Sequence, residues 1–295
     1  MQYDQNHGGA SPVCYNRQHS HPAGYGRWMV KDTEVLFDAI RSQGKRIDPN
    51  FSFSVEEPCE YFLPYWDFYM GRPYEFFGTG LDPSTRRVAV PLFIYVYHEY
   101  LMGYGGSNEI DIAHLYAEAI KIARKFVNGT LLNIDIGKPA FRLDTLPSPT
   151  EELQLARSCS RALRTYANRY LLLGRMLPDP VMESMKTEEI PIWRDATSRI
   201  PLEDLPSATV PLVLQSTWQA DSKVAYVFAN WQATAQTVTF QPQTYSSAST
   251  GYNLTIHDAL GKHTIQAGGK LPLKVRLTIR PLAAALVEQS GSETR

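Results

Sequence analysis

At Pro178-Asp179-Pro180 the hydrophobic pattern of the chain changes period, and no other feature constrains its fold as strongly. Up to about Leu177, helical stripes alternate with short apolar runs, the signature of β/α alternation. From about Ile190 onward there are only short runs: Val210–Trp218, Val224–Asn230, Thr237–Gln241, Tyr252–Ile256, Leu273–Ile279 and Leu282–Val287. Turn signals such as Ala220-Asp221-Ser222 and Ala267-Gly268-Gly269 divide them. Regularly spaced strands without intervening helices predict an antiparallel β-sandwich. The expectation is an α/β domain over residues 1–180 and a β-sandwich domain over 190–295.

Within the first part, Trp28, Val35, Leu36, Ala39 and Ile40 form a stripe that predicts a helix from Arg27, stopped at Gly44. Phe51–Glu56 reads as a strand. The near-continuous apolar run Val88–Tyr97 reads as a strand buried on both sides. A Gly-rich segment, Gly103-Tyr104-Gly105-Gly106-Ser107-Asn108, reads as a flexible loop leading to a helix at about Ile110–Phe126. Thr130–Ile136 follows as a strand and Thr150–Leu173 as a long helix with Thr150 as N-cap. This makes about four β/α units, and a closed barrel needs eight. The predicted architecture is the C-terminal half of a (β/α)8 barrel followed by the sandwich, with the N-terminal half of the barrel absent.

Chemistry is concentrated at Ser54-Val55-Glu56-Glu57-Pro58-Cys59-Glu60. Alternation sets Phe51, Phe53 and Val55 on one face and Ser52, Ser54 and Glu56 on the other, and Pro58 ends the strand. Glu56 is thereby delivered to the strand's C-terminal end, where barrel enzymes keep their catalytic groups. A carboxylate there is costly without a partner or a task. Asp4, on the face of Gln2 at the end of an earlier strand stub, is the second candidate. Two carboxylates on neighbouring strand ends suit glycosidic cleavage, with about 5.5 Å between them for retention and roughly 6.5–9.5 Å for inversion. A turn or cap role for Asp4 is the plain structural alternative.

Glu57 and Glu60 are candidate substrate contacts; solvated loop positions or an arginine partner are their structural alternatives. Trp66 and Asp67, in an aromatic segment, suit a stacking ring beside a sugar-binding acid, although Asp67 would equally pair with Arg72. His98 is expected near the barrel mouth, with helix capping as the alternative. In the loop after Asp4, His19 and His21 are candidate substrate contacts. Together with Cys14 they are ligand types for zinc or copper, but the spacing matches no defined site, so no metal is expected. Cys14, Cys59 and Cys159 are odd in number and widely spaced, which excludes a disulfide framework.

The order Tyr3-Asp4-Gln5, Cys14-Tyr15, His19-Ser20-His21-Pro22, Trp28, then Ser54 to Glu60 with Asp67 downstream resembles an uncharacterised family of glycoside-hydrolase-like TIM-barrel proteins of bacterial carbohydrate-degrading repertoires. Leu172-Leu173-Gly174-Arg175-Met176-Leu177 before a sandwich is similar to how such proteins end. The resemblance implies a barrel related to retaining α-glycosidases, with Asp4 at the nucleophile position and Glu56 at the acid/base position. It further implies a carbohydrate substrate and no cofactor.

The formal net charge of -1 points to neither a nucleic acid nor an anionic membrane surface as partner. The missing half-barrel or a self-association partner would cover the open sheet. A carbohydrate-binding protein without activity, or an inactive truncated fragment, is the alternative function. No signal peptide is visible at Met1, and the compartment stays unassigned.

Overall fold

The computed structural model describes residues 2–3, 13–56, 59–71, 91–105, 115–132, 151–191, 207–244, 251–272 and 274–291. Four short strands, β1 (Gln2–Tyr3), β2 (Ser54–Glu56), β3 (Phe68–Gly71) and β4 (Met102–Gly105), pair in the order β1-β2-β3-β4, every pair parallel. A parallel bridge from Tyr104 to Leu131 extends the same order. Parallel neighbours need crossovers. These are supplied by α1 (Arg27–Ile47), a 3₁₀ segment over Glu60–Tyr65, and α2 (Leu92–Tyr97). Then come α3 (Leu115–Val127) and α4 (Glu151–Ala162), which continues through a π turn at Leu163–Ala167 into α5 (Asn168–Leu171).

Phe53, Val55 and Tyr69 point to the helix side and are buried with Phe37 of α1, Phe62, Trp66 and Leu101. Phe37 is the hub: its ring meets Phe53, Phe62 and Trp66 edge-on at 5.3–5.9 Å, offset geometries that aromatic quadrupoles favour. Helix α1 runs past Gly44, where a stop was expected. The glycine is required by packing instead, because a Cβ there would lie 2.3 Å from Cδ1 of Phe51.

Two further expectations are corrected. The run ending at Tyr97 is helical from Leu92, with Ile94 buried while Leu92, Tyr95 and Val96 face solvent; residues 88–90 lie outside the described residues. Conversely Gly103 to Gly105, read as loop, belong to strand β4. Gly103 is small because the Tyr69 phenol lies over it: a Cβ would stand 2.8 Å from Oη.

The second half of the chain forms β5 (Arg175–Leu177), β6 (Val181–Ser184), β7 (Thr187–Pro191), β8 (Ser207–Pro211), β9 (Val213–Ala220), β10 (Lys223–Asn230), β11 (Gln236–Gln241), β12 (Tyr252–Asp258), β13 (Gly261–Gly269), β14 (Val275–Ile279) and β15 (Ala283–Gly291). A six-stranded sheet runs β13-β12-β15-β10-β9-β5, a three-stranded sheet β14-β11-β6, and β7 pairs with β8, all antiparallel. The six-stranded sheet therefore begins at Arg175, before the break in sequence texture.

Strand alternation divides β10 between two cores. Val224, Tyr226 and Phe228 meet Val238, Phe240, Leu277 and Ile279 of the three-stranded sheet. Ala225, Val227 and Ala229 meet Ile120, Ala123, Phe126 and Val127 of α3, and Leu155 and Cys159 of α4. The alanines leave room for the helices to approach. Helices α3 and α4 thus cover one face of the six-stranded sheet and the three-stranded sheet covers the other, each buried large side chain contributing roughly 1.5–3 kcal/mol.

Candidate active site

In the register of the parallel sheet Gln2 lies beside Ser54 and Tyr3 beside Val55, while Glu56 lies beside Met70 and Met70 beside Tyr104. Residues in register on adjacent strands share a face. Glu56 and Tyr104 therefore occupy one level of the face opposite α1, two strand spacings apart, roughly 9–10 Å between Cα atoms. One level below, the Ser54 hydroxyl lies 3.3 Å from the Tyr104 hydroxyl, linking β2 to β4 across β3. Glu56 is 8% exposed and is the last residue of β2. At its C-terminal edge this face carries Glu56 and Tyr104 with Met70 between them. Tyr104 was not singled out because its segment reads as a Gly-rich loop; strand β4 sets it on this face, and its phenol leans down toward Ser54.

The other candidates scatter. Asp4 and Glu57 lie outside the described residues. Glu60 is exposed in the first turn of the 3₁₀ segment.

Trp66 is only 3% exposed and packs between Phe37 and Phe62, so its ring offers no open face for stacking on a sugar. Asp67 precedes the first residue of β3, at the strand ends opposite Glu56. Its Oδ2 accepts the Phe53 amide at 2.9 Å and pairs with Arg41 Nη1 at 2.8 Å. Its own amide donates to the Phe53 carbonyl at 2.8 Å. Asp67 thus fastens α1 to the start of β2 through Arg41, 26 positions upstream in sequence, while Arg72, the alternative partner, lies outside the described residues.

His98 is a further correction. It caps α2 and is buried, with Nδ1 3.0 Å from the Gly174 carbonyl and Nε2 3.3 Å from that of Gly129. Burial holds its imidazole below the ordinary value, outweighing the pull of the Gly129 and Gly174 carbonyls. A ring that is neutral and walled in by backbone is a structural joint, not a mouth residue.

In the loop before α1, the chain closes on itself through a bridge in which the Gly24 amide donates to the Cys14 carbonyl at 2.6 Å. Within it Cys14 Sγ lies 3.2 Å from His19 Nδ1, and His21 stacks on Trp28 at 3.8 Å and 12°. The two histidines are therefore brought together with the cysteine, five and seven residues away, a convergence that their spacing had not indicated.

A protein-family model described as "Domain of unknown function (DUF6259)" matches residues 1–108. No curated protein matches the chain. Among solved structures, the chain is similar to an α-amylase from Geobacillus thermoleovorans (9% identity, 87% of this chain and 57% of that one, TM-score 0.49). It is likewise similar to a noncanonic maltogenic α-amylase from Thermotoga neapolitana (11% identity, 86% and 58%, TM-score 0.48). A GH30 endoxylanase from Clostridium papyrosolvens C71 also matches (11% identity, 87% and 60%, TM-score 0.38). These solved structures are glycoside hydrolases, and the chain spans less than two thirds of the length of each.

Among the described residues no helix is long and apolar enough to cross a membrane.

Proposed function

We propose that this chain is the C-terminal half of a (β/α)8 barrel with a following β-sandwich, and that it works as a retaining glycoside hydrolase on an oligo- or polysaccharide. The observation that carries the reading is Glu56: a nearly buried carboxylate at the C-terminal end of a strand in an all-parallel sheet. The strand order supports the barrel. It advances one strand at a time, whereas a doubly wound sheet reverses its order at a switch point.

In this reading the carboxyl of Glu56 protonates the glycosidic oxygen as the bond to the anomeric carbon breaks. The carboxylate of Asp4 attacks that carbon from the other side to form a glycosyl ester. Glu56, now a carboxylate, then takes a proton from the water that releases the sugar. The register that sets Tyr3 beside Val55 supports the pairing, since each carboxylate follows its paired residue by one position. Tyr104, level with Glu56, is available to a sugar hydroxyl, and His19 and His21 lie on the loop that follows β1. Residues 1–180 and 190–295 are the corresponding units. The face carrying Ser54, Met70, Met102 and Tyr104 is only part-covered in this chain, and a complementary half-barrel or a second copy is the partner that the reading supplies.

The test is turnover of a panel of aryl α-glycosides and α-linked oligosaccharides by the chain and by Glu56→Gln, with product anomers followed by NMR. Hydrolysis with retention, lost in Glu56→Gln while sugar affinity persists, is expected. Undiminished hydrolysis by Glu56→Gln would overturn the assignment. Sugar binding without turnover in either protein identifies a carbohydrate-binding protein instead.

A further inference from the structure

The loop between β1 and α1 holds a second set of chemistry-bearing residues, apart from the two carboxylates to which the bond cleavage is assigned. One ligand atom each from Cys14, His19 and His21 lies within 4.8 Å of the other two. We propose that these three residues form a mononuclear zinc site with a fourth coordination position left open.

The donor set fits the ion. Thiolate and imidazole are the ligands that zinc prefers, at about 2.3 Å for sulfur and 2.0–2.1 Å for nitrogen, which sets tetrahedral ligand atoms roughly 3.3–3.6 Å apart. Cys14 Sγ and His19 Nδ1 stand 3.2 Å apart, so that edge of the tetrahedron needs to open by only a few tenths of an ångström. The widest separation in the cluster, within 4.8 Å, must close by at most about 1.5 Å, a movement within reach of side-chain rotation in a part-exposed loop.

The surroundings fix the ligands as metal sites require. His21 lies 2.9 Å from the Pro22 carbonyl through Nδ1, and donating that N–H leaves the Nε2 lone pair for a metal. Stacking on Trp28, the second residue of α1, holds the plane of the ring. The Cys14–Gly24 bridge closes the loop around all three ligands, and Gly24, at φ +105°, takes a conformation that a larger residue would resist. His19 is exposed, so the fourth position faces solvent and admits water or an oxygen of a bound molecule. Three protein ligands plus an open position is the arrangement of an exchangeable zinc rather than a closed structural knuckle. The proposal is independent of the glycosidase reading.

The experiment uses the full chain, freed of metal, with cobalt(II) as the spectroscopic probe and zinc(II) as competitor. One cobalt per chain is expected, with a thiolate-to-cobalt charge-transfer band in the near ultraviolet that zinc abolishes. Cys14→Ser should lose the band, His19→Ala and His21→Ala should each weaken binding by at least about tenfold, and Cys59→Ser should change nothing. A band that persists in Cys14→Ser, or no band in the unaltered chain, overturns the proposal. Independently of whether the variants fold, zinc should slow iodoacetamide alkylation of Cys14 in the unaltered chain, read by peptide mass spectrometry, and leave Cys59 unaffected. Equal alkylation of Cys14 with and without zinc also overturns it.

Discussion

The imidazole of His98 stands edge-on to the indole of Trp218, ring centroids 4.5 Å apart. The indole N–H in turn donates to the Val127 carbonyl at 3.0 Å. Three elements meet at this point: the end of α2, the end of α3 and strand β9.

The joint should be pH-sensitive. Burial lowers the His98 pKa in the folded chain from the ordinary 6.5. Below that value the unfolded chain takes up a proton that the folded chain resists. The stability contributed by neutral His98 is present above 6.5 and is lost as the pH falls from there toward the lowered folded value, at a slope of up to about 1.4 kcal/mol per pH unit. Urea unfolding at stepped pH should show this slope in the unaltered chain and its loss in His98→Gln.

Gly129 has φ +70° under the same joint, and a Cβ there would lie 2.6 Å from both His98 Nε2 and the Leu171 carbonyl oxygen. Gly268 has nearly the same backbone, φ +67°, but open space around it. Gly268→Ala should cost only the left-handed penalty of about 1–2 kcal/mol. Gly129→Ala adds a clash with backbone and should cost at least about 3 kcal/mol. Chemical denaturation of the two variants side by side separates packing from conformation.

Asp67→Ala should destabilise the chain by about 1–3 kcal/mol, since it strands the Phe53 amide and removes the partner of Arg41. Sugar affinity of the protein that remains folded at low temperature should be unchanged. Calorimetry gives the first quantity and ligand titration the second; a lost affinity would return Asp67 to the binding surface.

Glu288 joins helix to sheet: Tyr170 donates to its Oε2 at 2.7 Å and Lys223 Nζ pairs with Oε1 at 3.0 Å. Burial raises its pKa, but the hydrogen bonds from Tyr170 and Lys223 prevail and hold it below the ordinary 4.5. Its contribution is therefore full above 4.5 and is lost as the pH falls through the lowered folded value. Tyr170→Phe should reduce stability by about 1–2 kcal/mol at neutral pH and by less at pH 3, as measured by denaturant midpoints.

What the sequence disclosed was local. Period-two alternation assigned Phe53 and Val55 to the helix side, where both are fully buried, and Ser54 and Glu56 to the other face. It could not separate strand from helix in the apolar run ending at Tyr97, because a short run without polar punctuation fits both. Nor did it distinguish glycines that bend the chain from glycines that make room. Gly44 and Gly103 are small because Phe51 and Tyr69 lie against them, partners 7 and 34 residues distant. Asp67 with Arg41, and Cys14 with two histidines, are likewise relations of space rather than spacing.

Strand β10 has no outward side. Ala225, Tyr226, Val227, Phe228 and Ala229 are each 0% exposed, with alternate residues committed to the helices and to the three-stranded sheet. Five successive positions are thus closed to polar replacement, so sequence drift here should be confined to small changes of apolar shape. The same double commitment restricts modular exchange. A gene rearrangement that grafted this β-region onto another catalytic unit would leave one wall of β10 bare unless α3 and α4 travelled with it.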